Sequence, residues 1–424
     1  MKKIFLLLVM ATLFTACHKD DDSEEDVTPE RTILVYVAGD NNLSNYADLD
    51  LKEMKTASLK LGNRQRLIVY VDQADNNTPP FFARIKDGQY VDSVSTEESL
   101  TADPAVLEKA LRYMRTNYPA KSYGLVLWGH GTGWLLSNDD IDYPNYPQSR
   151  AYGGDTGNNS TASAGKYWMN IPPLARAIAN GMDGTPLTFV MGDCCSFGSI
   201  EIAYELRNVT EYVIGSPAEI PDDGAPFDLV IPEMFNTSSD FYKSVVDVYY
   251  DFYLEEFKLK PNRYYNLALG DLKGYSIPLS AVKSAELGTL ATATAQLLST
   301  IGDKLMPEGP LDITNKMYYA IYGSYRYSYD MYNILKNNTS EADFNIWATA
   351  YQKAVPYYRN STHWLTYSQK LASEQDTFDG QPDDCGAVSM FFPHTSYKNT
   401  SPNWNTAIQQ FQWNNALRWQ QYGW

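Results

Sequence analysis

The chain predicts an α/β fold with a mostly parallel central sheet covered on both faces. Strand-length apolar runs alternate with amphipathic helical stretches, and most of these runs end in turn residues rather than in tight hairpins. The first run, residues 31–40 (RTILVYVAGD), is β-branched and aromatic, and a helical pattern follows over 43–61. Residues 64–72 (RQRLIVYVD) repeat the scheme, and 81–95 reads as a short hairpin. Asp103-Pro104 then opens a helix with a capping carboxylate and a proline at its first position, with apolar Val106, Leu107, Ala110, Leu111 and Met114 on one face. Three further strands are expected at 123–128 (YGLVLW), 186–193 and 211–215.

Between 137 and 170 periodicity is lost among Asp, Asn, Gly, Ser and Tyr, which predicts a long exposed loop of functional interest. Beyond about residue 235 the texture becomes more helical, with helices expected over 241–257, 282–298 and 342–355, and added strands at 265–271 and 386–392. No Pro/Gly/Ser linker, repeat or low-complexity tract separates the two parts, so the C-terminal part reads either as a second domain or as an elaboration packed on the first.

The N-terminus is an export signal: Lys2 and Lys3 precede an apolar run over 4–13 that is too short to span a bilayer. Leu13-Phe14-Thr15-Ala16-Cys17 resembles a bacterial lipoprotein cleavage box, which would make Cys17 the lipidated first residue and a lipid anchor the only membrane contact. The acidic stretch 18–26 buries nothing and reads as a solvated tether or an export tag of surface lipoproteins. The expected organisation is therefore signal peptide 1–16, lipidated tether 17–29, an α/β domain over 30–235 and a C-terminal helical and mixed region over 236–424. The formal charge of -17 disfavours nucleic acid and favours cationic ligands. The 33 tyrosines and 9 tryptophans keep open a second class, a surface lipoprotein that binds glycan or protein without catalysis.

Chemistry gathers at two predicted strand ends, which is where ligands bind in open α/β sheets. His130 follows the strand 123–128 within Gly129-His130-Gly131-Thr132-Gly133-Trp134, and Cys194-Cys195 follows the strand 186–193. A thiol of ordinary pKa about 8.5 needs a base or a cation to become a nucleophile. Of the four histidines His130 alone lies among strand-end glycines. Bare backbone there also lets amide N–H groups converge on an oxyanion, where one donor contributes about 3–4 kcal/mol. The candidate donors are Gly131 and the N–H of Cys195.

The segments ILVYVAGDNNL, WGHGTGW, Asp193-Cys194-Cys195, EIAYELR and SPAEIPDDGAPFD resemble, in order, the clostripain family of cysteine peptidases, with fainter likeness through YNLALGDL and GAVSMFFP. The resemblance implies a caspase-like α/β/α sandwich and an acyl-enzyme mechanism run by a Cys-His dyad without an obligatory third orienting residue. Its substrates would be proteins or peptides. Carried onto this chain, His130 is the base and Cys195, two residues after the aspartate, the nucleophile. Strand alternation agrees, since Asp193 and Cys195 share one face and Cys194 the other, although a one-residue slip at the strand end would exchange them.

The same resemblance gives Asp193 the recognition of an Arg or Lys at P1, with Ser216 in the pocket wall, and implies processing between the His and the Cys, where Arg150 and Lys166 are the candidate sites. A carboxylate suits a guanidinium fork, and it raises a nearby thiol's pKa, so Asp193 reads as a specificity residue. Departures from the family pattern are Ser196-Phe197 after the nucleophile and WGHGTGW itself, which bear on the depth of the P1 pocket. No metal or cofactor is expected in the chemical step. Calcium is weighed at Asp139-Asp140-Asp142 and Asp222-Asp223, neither of which forms a defined calcium loop.

Overall fold

The computed structural model describes residues 28–75, 77–136, 151–259, 276–313, 317–322, 325–361, 364–366, 370–371, 384–400 and 403–424. The five expected apolar strands are β1 (Arg31–Gly39), β2 (Gln65–Gln73), β5 (Ser122–Trp128), β9 (Leu187–Asp193) and β10 (Thr210–Gly215). They form the parallel centre of a nine-stranded sheet in the order β10-β9-β5-β1-β2. One edge is completed by the hairpin β3 (Phe81–Lys86) and β4 (Gln89–Ser95), both antiparallel. The other edge takes β11 (Leu279–Lys283) and β14 (Tyr357–Arg359) from the C-terminal part.

Alternation along the strands divides the core into two faces. Leu34, Tyr36, Leu125, Leu127 and Val190 point to the face covered by α2 (Pro104–Asn117) and α3 (Ile171–Gly181). Val35, Val37, Val126, Phe189 and Met191 point to the other, covered by α1 (Ser44–Ser58), α5 (Phe227–Met234) and α6 (Phe241–Leu259). Asp103 caps α2 by accepting from the backbone N–H of Ala105, as its position before proline implies. Trp128 is in register with Val37 and with Asp193, so the central strands end at one level.

Three expectations change. The helix expected over 282–298 begins five residues later: β11 pairs antiparallel with β10 through Val282–Val213 and Ala281–Ile214, and α7 covers Leu287–Ser299. A short apolar run at a sheet edge takes its conformation from its partner strand, and periodicity cannot detect that. The strand expected over 386–392 shrinks to a paired Ser389–Met390, preceded by Ala387 in the left-handed region at φ 52°. The loop expected over 137–170 contains β7 (Tyr152–Asp155) and β8 (Tyr167–Met169), which form a small sheet with β6 (His130–Gly131). Strands of three and four residues are too short to show a period. The strand expected over 265–271 lies outside the described residues.

The C-terminal part also supplies the hairpin β12 (Tyr318–Tyr322) and β13 (Tyr325–Asp330), a helix α8 (Met331–Asn338), and α9 (Glu341–Ala354) where a helix was expected. No helix among the described residues is long and apolar enough to cross a membrane.

Candidate active site

Past the end of β5 the chain turns through Gly129 at φ 143°, where an added Cβ would stand 3.0 Å from the carbonyl oxygen of Ala38. Only glycine fits that turn. His130 follows, paired with Gly153 of β7, its ring centroid 6.0 Å from that of Trp168 and its Nε2 2.7 Å from Oδ1 of Asn42.

Past the end of β9 the two cysteines part company. Cys194 is 1% exposed and packs into the α2/α3 face, where burial pushes its thiol pKa up. Cys195 is partly exposed on the α1/α6 face, and its Sγ accepts from the backbone N–H of Ile220 at 3.4 Å. Burial raises its pKa as well, helped by the carboxylates of Glu219, Asp222 and Asp193 and opposed by the Ile220 hydrogen bond. A thiol whose pKa is raised needs a base to act as a nucleophile.

His130 and Cys195 line one small pocket with Asp193, Trp128, Asp222 and Gly224. Backbone contact ties the two loops together: a Cβ on Gly131 would lie 2.6 Å from the carbonyl oxygen of Cys195 and 3.1 Å from Sγ of Cys194. Gly131 thus lets the His loop lie directly against the Cys loop. This brings the backbone of the two candidate oxyanion donors into one place.

Asp193 is 2% exposed and faces the pocket side. Its carboxylate accepts from the N–H of Ala225 at 3.0 Å and from the hydroxyl of Tyr249 at 2.9 Å, yet burial still lifts its pKa to about 6. Behind it lies Asp50 of α1, also 2% exposed, whose carboxylate accepts from Nε1 of Trp128 and whose pKa rises to about 9 through burial and through Asp193. Gly224, at φ 61°, separates the two: its Cβ would stand 2.7 Å from one oxygen of Asp193 and 3.2 Å from one of Asp50. Glu53, raised to about 7 mainly by burial, stands on the same side of α1 and holds the N–H of Phe227. The pocket side gathers acidic groups in a poorly solvated place, which is why their pKa values rise. At about 30 Å³ the pocket is small.

Ser216 is fully buried and its hydroxyl accepts from the N–H of Ala218, while its carbonyl accepts from Gly198. It shapes the wall from behind and does not line the pocket. Lys166 has an exposed side chain, but its N–H is bonded to the Asp155 carbonyl at the start of β8. Arg150, Cys17 and Asp139-Asp140-Asp142 lie outside the described residues. Among the described residues no group of three or more His, Cys, Asp and Glu side chains is placed to hold a metal ion.

The loop after the nucleophile is held from the C-terminal part. Ser196 adopts the left-handed region at φ 58°, a strained geometry for a residue with a side chain. The hydroxyl of Tyr327 in β13 lies 3.5 Å from Oγ of Ser196 and donates to the carbonyl of Thr132 at 3.2 Å, touching both site loops. Ser389 donates to the Gly198 carbonyl, and buried Glu201 accepts from the N–H of Phe391.

A family model for the clostripain family of peptidases matches residues 35–424. The chain belongs to the clostripain family. It is a cysteine peptidase, and this clostripain-family chain shares its architecture with solved relatives. A secreted C11 cysteine protease from Bacteroides thetaiotaomicron, solved with an irreversible peptide inhibitor, is 29% identical, with 92% of this chain and 99% of that chain covered at a TM-score of 0.71. An inactive zymogen C11 protease from Parabacteroides distasonis shares the fold at 24% identity, covering 92% and 99% at a TM-score of 0.69. No curated protein matches the chain.

Asn42, Asp50, Gly224 and Tyr327 escaped sequence reasoning. Asp50 left a readable trace, because Ala47, Leu51 and Met54 are its neighbours on the buried face of α1 and an acid among them is out of place. Tyr327 left none, since it reaches the site only through long-range packing.

Proposed function

We propose that this clostripain-family peptidase is an exported, lipid-anchored endopeptidase that cleaves after Arg or Lys through a His130–Cys195 dyad. The observation that carries the reading is the shared pocket: a thiol and an imidazole line it together with a buried aspartate. His130 takes the proton of Cys195 as sulfur attacks the scissile carbonyl. The N–H groups of Gly131 and Cys195 stabilise the oxyanion, and His130 then returns the proton to the leaving amine. Water hydrolyses the resulting thioester by the same route. The thiol and imidazole supply nucleophile and base without a metal or cofactor.

Asp193 recognises the basic P1 side chain, with Ser216 supporting the wall and Asp50, protonated near neutral pH at its raised pKa of about 9, behind it. The reading is supported by the net charge and by the buried carboxyl of Asp193, which forms no ion pair with a cation among the described residues. A P1 guanidinium or ammonium ion would supply that missing charge. Processing between the two catalytic residues activates the enzyme on this reading. Arg150 and Lys166 are the candidate cleavage sites, and the peptide of Lys166 is held in a β pair.

The test is hydrolysis of fluorogenic peptides carrying Arg, Lys, Ala or Asp at P1, before and after limited trypsin nicking. Turnover confined to Arg and Lys peptides is expected, rising on nicking. Equal turnover of the Ala peptide would refute the acidic pocket, and retention of full activity in His130→Ala would refute the dyad.

A further inference from the structure

A general base takes the proton on one ring nitrogen, and holding the other keeps the ring from turning away. In this protein Nε2 of His130 lies 2.7 Å from Oδ1 of Asn42. An amide oxygen only accepts, so Nε2 donates and the neutral ring keeps its lone pair on Nδ1. The Asn42 side chain is exposed, but the backbone that carries it is tied down. The N–H of Asn42 donates to the Ser163 carbonyl at 2.9 Å. Its neighbour Asn41, fully buried, ties the same turn to the Ala38 carbonyl at 2.9 Å and the Gly154 carbonyl at 2.6 Å, and receives the N–H of Leu43 on its own Oδ1. The helix α1 starts immediately after, at Ser44. Asn42 therefore projects from a turn pinned on both sides, while Trp168 stands near the imidazole ring.

We propose that Asn42 is a positioning residue for the reaction: it fixes the tautomer and orientation of His130 and stabilises the imidazolium that forms when the Cys195 proton is taken up. This rests on the reading of His130 as the base and adds to it a third member, one that the family resemblance does not require. The hydrogen bond exists in the resting enzyme and strengthens when the ring is charged, because a charge-assisted bond is roughly twice as strong as a neutral one. Its contribution falls on the chemical step and not on substrate binding.

Asn42→Ala and Asn42→Asp, measured beside His130→Ala, test this. General acid–base catalysis is worth about 10²–10⁴-fold, and losing the orientation alone should remove part of that. Asn42→Ala is expected to lower kcat by about 10- to 100-fold with KM within about twofold and an unchanged melting temperature. The pH–rate limb that titrates with His130 moves to lower pH, since an acceptor on Nε2 favours the protonated ring. Asn42→Asp restores most of kcat and moves that limb to higher pH, because a carboxylate favours the imidazolium more than an amide does. A merely structural role would leave the limb in place. Asn42→Ala with kcat within twofold of wild type and an unmoved limb overturns the proposal while His130→Ala is inactive. If His130→Ala keeps its activity, the dyad itself fails and the role of Asn42 with it.

Discussion

Cys194 and Cys195 are adjacent in the chain and lie on opposite faces of one sheet, and their surroundings differ in almost every respect. The first sits in a dry, close-packed core beside Gly131 and Tyr152. The second faces a pocket built from a histidine, a backbone turn and a group of carboxylates. Face and not residue type separates the two, since a buried thiol without a base is a small hydrophobe. Burial first, and the carboxylates of Glu219, Asp222 and Asp193 after it, raise the pKa of the Cys195 thiol, so on the proposed reading it needs the neighbouring imidazole to act.

The largest expected difference is between the cysteines themselves. Cys195→Ala should lower kcat roughly 10⁴- to 10⁶-fold, whereas Cys194→Ala keeps activity within a fewfold and costs about 1 kcal/mol of stability from the cavity it leaves. Denaturant melts and peptide hydrolysis on the two variants check both halves.

Next in size is the charge on the pocket side. Asp193→Asn keeps the shape and the acceptor for Tyr249 and Ala225 but removes the anion, so kcat/KM for Lys and Arg peptides should fall about 100-fold. The sign of the pH effect follows from the raised pKa of about 6. Below pH 6 the carboxyl is neutral and binds a cation poorly, and above it the carboxylate binds well. The wild-type kcat/KM for a Lys peptide should carry a rising limb near pH 6 that Asp193→Asn abolishes.

The smallest effect belongs to a second acidic group at the carboxyl end of the sheet, remote from the thiol. Asp72 is 1% exposed, and neither of its carboxylate oxygens has a hydrogen-bond partner among the described residues. Burial, with Asp155, Glu98 and Asp40 nearby, lifts its pKa to about 9. An acid whose folded pKa lies above its unfolded value binds more protons folded than unfolded between those two values, so it destabilises the fold as pH rises from about 4 to about 9. Asp50 and Asp193 add to the same slope. Thermal stability should therefore decline over that window, and Asp72→Asn should flatten the decline and raise stability at pH 8 by about 1–3 kcal/mol. Melting curves at a series of pH values read this directly. Equal slopes in Asp72→Asn and wild type would show that this carboxyl does not contribute.

Much of this was legible in the sequence where local pattern and burial coincide. The five parallel strands are continuous apolar runs because both their faces are covered. His130 and Cys195, which line one pocket, could be singled out as candidates because strand ends collect sites and because few residue types can serve as nucleophile and base. What stayed hidden depends on partners distant in the chain. The strand β11 exists because Val213 and Ile214 offer it an edge. Tyr327 reaches Thr132 and Ser196 from the C-terminal part. The hidden carboxylate Asp50 comes under Asp193 only once α1 packs beside α5 and the 220–224 turn places Gly224 between them.

The most direct measurement is to treat the nicked protein with an irreversible peptide electrophile bearing Lys at P1 and locate the adduct by peptide mass spectrometry. A single adduct on Cys195, slowed in His130→Ala and competed by a free Lys-terminated peptide, is the expected result. An adduct on Cys194 or Cys385, or labelling of Cys195 that His130→Ala leaves equally fast, would contradict it.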